Sequence, residues 1–301
     1  MSIFTQRTGA SSLHSRLVVD DAVGSSESEP LSPVKKMQLS LLVGAAVVAF
    51  GTILYGGVST TADESVAERS VREERVGYST LTRERLFATF GYFASAIGMT
   101  AVSAVALSRS VPVVRAALRS PMMFGIGTFV ASVAGMMGAM TIAPEKPMLK
   151  HASWLLFTTA SGAMLLPLAV VGGPIVAQAA TATGLMVGGI SAVAAVAPSD
   201  SFLWMRGGLT IGLMTVVGAS VGQMFFPASS LLMNVSLYGG LALFGGFQLY
   251  DTQRIVKAAQ QLPATARFDA MSHSISIYQN TLNIFIRMVQ IFAQQGQSKR
   301  R

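Results

Sequence analysis

The chain has 301 residues, of which 51% are hydrophobic and only 12% charged, with a mean hydropathy of +0.53; soluble domains carry about 25% charged residues, so water is not its main solvent. It contains no cysteine, which excludes a disulfide framework, a Cys-ligated metal site and thiol redox chemistry. The net charge of +8 comes from basic residues scattered through short connections between apolar stretches, a pattern of membrane topology and not of a nucleic-acid-binding face.

Residues 1–36 are Ser-rich, contain Pro30 and Pro33, and carry Arg7 and Arg16 with no acidic residue before Asp20. A disordered segment is expected there, with the composition of a mitochondrial presequence. The first apolar stretch, Met37 to Tyr55, follows Lys35 and Lys36. It approaches the ~20 residues that cross a hydrocarbon core, so an N-terminal transmembrane helix is expected over 37–57. A linker over 58–86, including ADESVAERSVREER, is dense in both signs and suits an exposed helix or hairpin laced with ion pairs. No chemistry is assigned to it.

Six further apolar stretches follow: Phe87 to Leu107, Met122 to Ala143, Trp154 to Val171, Ile175 to Val196, Phe202 to Phe226 and Leu231 to Tyr250. Their connections carry the helix breakers Gly172, Gly173, Pro174, Pro198 and Pro227. A last segment, Asp269 to Ala293, is more polar but helical in period. The expected fold is therefore all-α: a polytopic membrane helix bundle of about eight crossings. The N-terminal helix is followed by a seven-helix domain over 87–295 and a basic tail at 296–301. Small residues four apart, Ala131 with Gly135, Gly208 with Gly212 and Gly218 with Gly222, are expected to let helix backbones approach closely.

With eight crossings, one side of the membrane receives Lys35, Lys36, Arg109, Arg115, Arg119, Lys299, Arg300 and Arg301. The opposite side receives the mixed linker, Glu145, Lys146, Lys150, Asp200, Arg254, Lys257, Arg267 and Asp269. The purely basic side, which holds both termini, should face the matrix if the organelle is a mitochondrion.

A charged side chain deep in a membrane costs about 2.5–3.5 kcal/mol even on the lenient insertion scale. Arg206 lies close enough to a span end to snorkel, which leaves Asp251 and Arg287 to be explained. The helix holding Asp251 should continue to about residue 260, before Pro263. A helix resuming near Asp269 then runs antiparallel, and counting outward from the turn sets Asp251 level with Asn280. In this final helix His273, Ser276, Asn280, Asn283, Arg287, Gln290 and Gln294 share one face. Two arrangements produce such a stripe, a helix lying on the membrane surface or a spanning helix turning polar groups inward. The stripe is mostly neutral, which favours the interior. Asp251 is either a carboxylate snorkelling at a helix end or a cation or proton site.

Several segments resemble the mitochondrial branch of the Bax inhibitor transmembrane family: RERLFATFGYFASAIGMTAVSAVALSRS, KHASWLLF, GGPIVAQAATATGLMVGGISAVAAVAPSDSFL, SLYGGLALFGGFQLYDTQRIVKAAQ and SISIYQNTLNIFIRM. They run in order through residues 83–293. The resemblance implies a seven-helix Bax inhibitor fold with an added N-terminal span, in the mitochondrial inner membrane. It also implies calcium leak or calcium/proton exchange, maintenance of cristae, and restraint of cytochrome c release in apoptosis. In the family, two aspartates near the ends of the last two helices form a proton-sensitive pair. The first falls on Asp251, and the second on Asn280 within YQNTLNIF. An amide cannot share a proton with a carboxylate, so any pH response here should differ from the family's.

The expected ion-pathway or pH-sensing residues are Asp251, Asn280, Arg287, Asn283 and His273, with Asp251 a weak, transient calcium ligand because calcium prefers six to eight oxygens. The expected partners are the lipid bilayer, calcium ions and protons, with cristae-organising proteins or cytochrome c; neither a cofactor nor nucleic acid is expected. An intramembrane aspartyl protease would need a second membrane aspartate, and no span offers a serine nucleophile motif, so enzymatic activity is not expected. The rival to cation transport is a non-transporting inner-membrane scaffold.

Overall fold

The computed structural model describes residues 78–170, 173–198 and 200–298. The presequence-like segment, the expected N-terminal span, most of the charged linker and the end of the basic tail lie outside the described residues.

The described chain is all-helical apart from its connections. Helix α1 (Thr80–Ser108) starts on Ser79, whose Oγ accepts the Thr82 amide at 3.2 Å, an N-cap that satisfies one of the helix's orphan donors. It therefore begins before the apolar stretch at Phe87, and the last part of the charged linker forms its first two turns. Short α2 (Val111–Arg119), α3 (Pro121–Thr141) and α4 (Pro147–Met164) each carry proline in the first turn, where no amide hydrogen bond is lost. Helices α5 (Gly173–Val196) and α6 (Arg206–Phe225) follow, the latter preceded by a 3₁₀ turn at Leu203–Met205.

Helix α7 runs over Ser230–Gln261. It contains one π turn, Val235–Gly239, between an α turn and the long segment Gly240–Gln261. It stops before Pro263, and α8 (Ala270–Ser298) begins after Asp269, whose Oδ1 accepts the Ser272 amide at 3.2 Å.

Five helices, α1, α3, α5, α6 with its 3₁₀ turn, and α7, are long and apolar enough to cross a membrane. Their outer faces expose large apolar side chains such as Phe87, Ile211, Met214 and Phe225, which in water would be an aggregation surface and in lipid is the solvated face. Helix α4 packs on α1 and α3 and exposes Met148, Leu149, Leu155 and Leu156 on its outer face, whereas the more polar α8 is sheltered by its neighbours. Helix α8 packs on α7, α1, α5 and α3, burying Ile275, Ile277, Tyr278, Ile284 and Val289. It is an interior helix and does not lie on the membrane surface.

Close backbone approach occurs at fewer places than the small-residue pattern suggests. A Cβ on Gly135 would sit 2.5 Å from the Phe157 amide nitrogen and 2.8 Å from the Ser153 carbonyl oxygen, so α3 and α4 touch backbone to backbone there. Gly208 and Gly218 face open space, whereas Gly162, absent from the expected pairs, lies where a Cβ would come 2.7 Å from the Thr100 carbonyl oxygen of α1.

Candidate functional site

The α7–α8 hairpin aligns two storeys of polar groups. In the first, Asp251 and Asn280 are 7% and 5% exposed, and Asn280 Nδ2 donates to Asp251 Oδ2 at 2.8 Å. The amide solvates the carboxylate without adding a charge. A second partner is Arg254, one turn further on in α7; its Nε lies 3.8 Å from Asp251 Oδ1 and its side chain is half exposed. At that spacing and exposure the ion pair is weak.

Seven residues from Asp251 and Asn280, in the same antiparallel register, Phe244 and Arg287 meet. The guanidinium lies 4.7 Å from the ring centroid, a cation–π contact. Arg287 Nε donates to the Ser236 carbonyl in the π turn at 3.1 Å, and Nη1 donates to the Asn283 carbonyl and Oδ1 at 3.0 and 3.1 Å. A Cβ on Gly240 would lie 2.1 Å from Arg287 Nε, so glycine is what makes room for the guanidinium. Asn283 thus positions Arg287.

Between the storeys, Gln248 is fully buried and donates to Ser191 Oγ of α5 at 2.8 Å, while its Oε1 has no partner. Thr252 donates to the same hydroxyl at 3.3 Å. These two residues were missed because a Gln and a Thr in an apolar helix give no signal of their own. His273, about two turns from Asn280, stacks on Phe268 with ring centroids 4.7 Å apart, and the structure does not bring it to the Asp251 storey.

The nearby end of the bundle, where α3, α5 and α7 finish and α1, α4, α6 and α8 start, is closed by ionic contacts. Lys150, expected in a connection, is 4% exposed within α4. Its Nζ donates to Asp269 Oδ2 at 2.7 Å, to the Ile142 carbonyl at 3.1 Å and to Ser272 Oγ at 3.4 Å. Burial pushes the Asp269 carboxyl upward, but hydrogen bonds from Lys150 and Ser272 outweigh it and hold the carboxyl below the usual range. Arg85, expected in the linker, is buried and donates to the carbonyls of Ala259, Leu262 and Pro263 at 2.9, 2.6 and 2.8 Å. It caps the end of α7 that carries Asp251, as a cation does well at a helix C-terminus. Lys257 pairs with Asp200, and Arg267 with Glu145 at 3.7 Å.

Among the described residues no three His, Asp or Glu side chains converge as metal ligands. Asp251 with its neutral neighbours supplies too few oxygens for a tight calcium site. The seven-residue register sets Arg287 about 10 Å along the helix from Asp251. At an effective dielectric of ~20, a divalent cation at Asp251 is repelled by that guanidinium by about 3 kcal/mol.

A sequence profile described as "Inhibitor of apoptosis-promoting Bax1" matches residues 82–297. The chain is 36% identical over 272 residues to growth hormone-inducible transmembrane protein of Rattus norvegicus, covering 88% of this chain and 77% of that protein. It is 34% identical over 141 residues to an uncharacterized membrane protein of Vibrio cholerae, covering 45% and 59% of the two chains. It is 30% identical over 101 residues to Bax inhibitor 1 of Homo sapiens, covering 34% and 40%. The last two matches span less than two thirds of those relatives. These proteins are named as membrane or Bax-inhibiting proteins and not as enzymes.

Proposed function

This chain belongs to the family of inhibitors of apoptosis-promoting Bax1, and from that premise we propose that it carries a slow cation leak, calcium foremost, across the mitochondrial inner membrane. Through that leak it supports cristae organisation and apoptosis control. One observation carries the reading: a carboxylate, Asp251, held by the Asn280 amide between two helices in the bundle interior. Keeping an ionised group there is costly, and a bundle that only had to pack would use an apolar pair.

The basic end of the bundle faces the matrix in this reading, with both termini there. A matrix-negative potential favours inward passage by ~2.3 kcal/mol per charge per 100 mV. Calcium visits Asp251 transiently, and Arg287 opposes its further movement until the guanidinium turns aside. Proton coupling rests on Asp251 alone, because Asn280 has no proton to share.

A second reading, a non-transporting scaffold for cristae structure and cytochrome c retention, is favoured by a different observation. Arg287 is held by Ser236 and Asn283 through Nε and Nη1 and lies over the Phe244 ring, an arrangement suited to a closed bundle.

Calcium flux into liposomes containing the purified full chain separates the two. Flux that falls in Asp251→Ala, rises in Arg287→Gln and gains a steeper dependence on neutral-range pH in Asn280→Asp supports the leak, since a carboxylate pair shares a proton. A folded protein with no flux above that of empty liposomes supports the scaffold.

A further inference from the structure

The two ends of the bundle differ in how their cations are used. At the Asp251 end, Arg85, Lys150, Arg254, Lys257 and Arg267 each have a carboxylate or carbonyl partner, while Lys146 and Arg206 have no ion-pair partner among the described residues. At the other end, the connections 109–120, 165–172 and 226–229 contain no acidic residue at all. Their cations are Arg109, Arg115 and Arg119, all exposed and without an ion-pair partner among the described residues.

These arginines lie on or beside α2, which buries none of its residues. Helix α2 joins the end of α1 to the start of α3, both spanning helices, so it sits at the level of the lipid headgroups. Val111, Val114 and Leu118 share one stripe of this helix, and Arg115 and Arg119, four residues apart, share the edge beside it. Val111 and Leu118 are 64% and 76% exposed. Together with Arg109 these side chains line an open hollow of about 650 Å³. An apolar stripe flanked by unneutralised arginines is the pattern of a helix lying in the headgroup plane, and guanidinium groups bind phosphate oxygens in pairs.

We propose that α2 and Arg109 form a binding surface for the phosphates of anionic phospholipids in the leaflet at this end, with Val111, Val114 and Leu118 resting on the acyl boundary. The surface is independent of the Asp251 storey. It would fix the depth of the α1–α3 connection and make the protein's retention of lipid depend on headgroup charge.

The test uses the full chain purified in mixed micelles of phosphatidylglycerol and phosphatidylcholine, with lipids retained by the protein quantified by native mass spectrometry. Each basic residue near an anionic surface contributes about fivefold. The wild type should enrich phosphatidylglycerol, and the Arg109→Gln/Arg115→Gln/Arg119→Gln variant should lose at least about tenfold of that preference. A charge-matched control, Lys146→Gln/Lys257→Gln/Arg267→Gln, should keep it. A melting midpoint in zwitterionic detergent confirms that each variant is folded. Equal enrichment in wild type and α2 variant overturns the proposal, as does an equal loss in the control. Complete displacement of phosphatidylglycerol by inorganic phosphate also overturns it, marking a soluble-anion site. Absence of lipid preference with capture of an acidic peptide instead would assign the surface to a protein partner and overturn it too.

Discussion

Replacing Asp269 by Asn should damage the protein more than replacing its partner Lys150 by Met, because the two charges differ in burial. Lys150 is 4% exposed, whereas the Asp269 side chain is 28% exposed. Asp269→Asn keeps the side-chain oxygen that caps α8, since Asn caps about as well as Asp. It strands an ammonium group among the Ile142 carbonyl, Ser272 Oγ and a neutral amide. Breaking a buried pair this way costs about 3–5 kcal/mol. Lys150→Met fills similar space and leaves a carboxylate that still has Ser272, the α8 N-terminus and partial solvent, at a cost of about 1–2 kcal/mol. At about 2–4 °C per kcal/mol for a chain of this size, the melting midpoint in detergent should fall by about 6–20 °C for Asp269→Asn and about 2–8 °C for Lys150→Met. The double variant should recover most of the larger loss, because replacing both members of a buried pair is often close to neutral. A Lys150→Met variant as damaged as Asp269→Asn, with the double variant worse than either, would refute the reasoning. The lysine stem, not its charge pairing, would then be what matters.

The same pair sets an acid limit. The Asp269 carboxyl is held below its usual range, so its contribution is complete above the unfolded value of about 3.9 and is lost as pH falls through the lower folded value. The stability gap between wild type and Asp269→Asn, measured by unfolding at successive pH values, should therefore be constant near neutrality and close below about pH 4. Two glycines should respond oppositely to alanine. Gly135→Ala, whose Cβ would strike the Phe157 backbone, should cost about 1–3 kcal/mol, while Gly218→Ala, facing open space, should gain about 0.5–1 kcal/mol from helix propensity, both read from melting midpoints.

The Asp251–Asn280 contact was legible because it needed only a turn position and two antiparallel helices; the same count pairs Phe244 with Arg287. The interior placement of α8 was legible from a stripe too neutral for a lipid surface. Lys150 and Arg85 were not. A cation just outside an apolar stretch reads as a loop charge, and only tertiary partners distant in sequence, Asp269 for one and the Ala259, Leu262 and Pro263 carbonyls for the other, make burial tolerable. Helix α2 was hidden for a related reason. Nine residues holding a proline and two arginines fall below the length at which periodicity separates a helix from a loop. Of the glycines at four-residue spacing, spacing alone could not tell Gly135, pressed against a neighbouring backbone, from Gly218, which faces open space.

The π turn at Val235–Gly239 acts as a phase adjuster within α7. A π turn holds one residue more than the α turn it replaces, and one residue on an α-helix is about 100° of rotation. Removing one residue there would leave an unbroken α-helix with its first two turns swung by that angle relative to the segment that carries Asp251. The face that Ser220 of α6 meets through Ser236 and the face that Asn280 of α8 meets through Asp251 could then no longer be satisfied together. The residue count between Ser236 and Asp251 is a dimension on which the alignment of three helices depends.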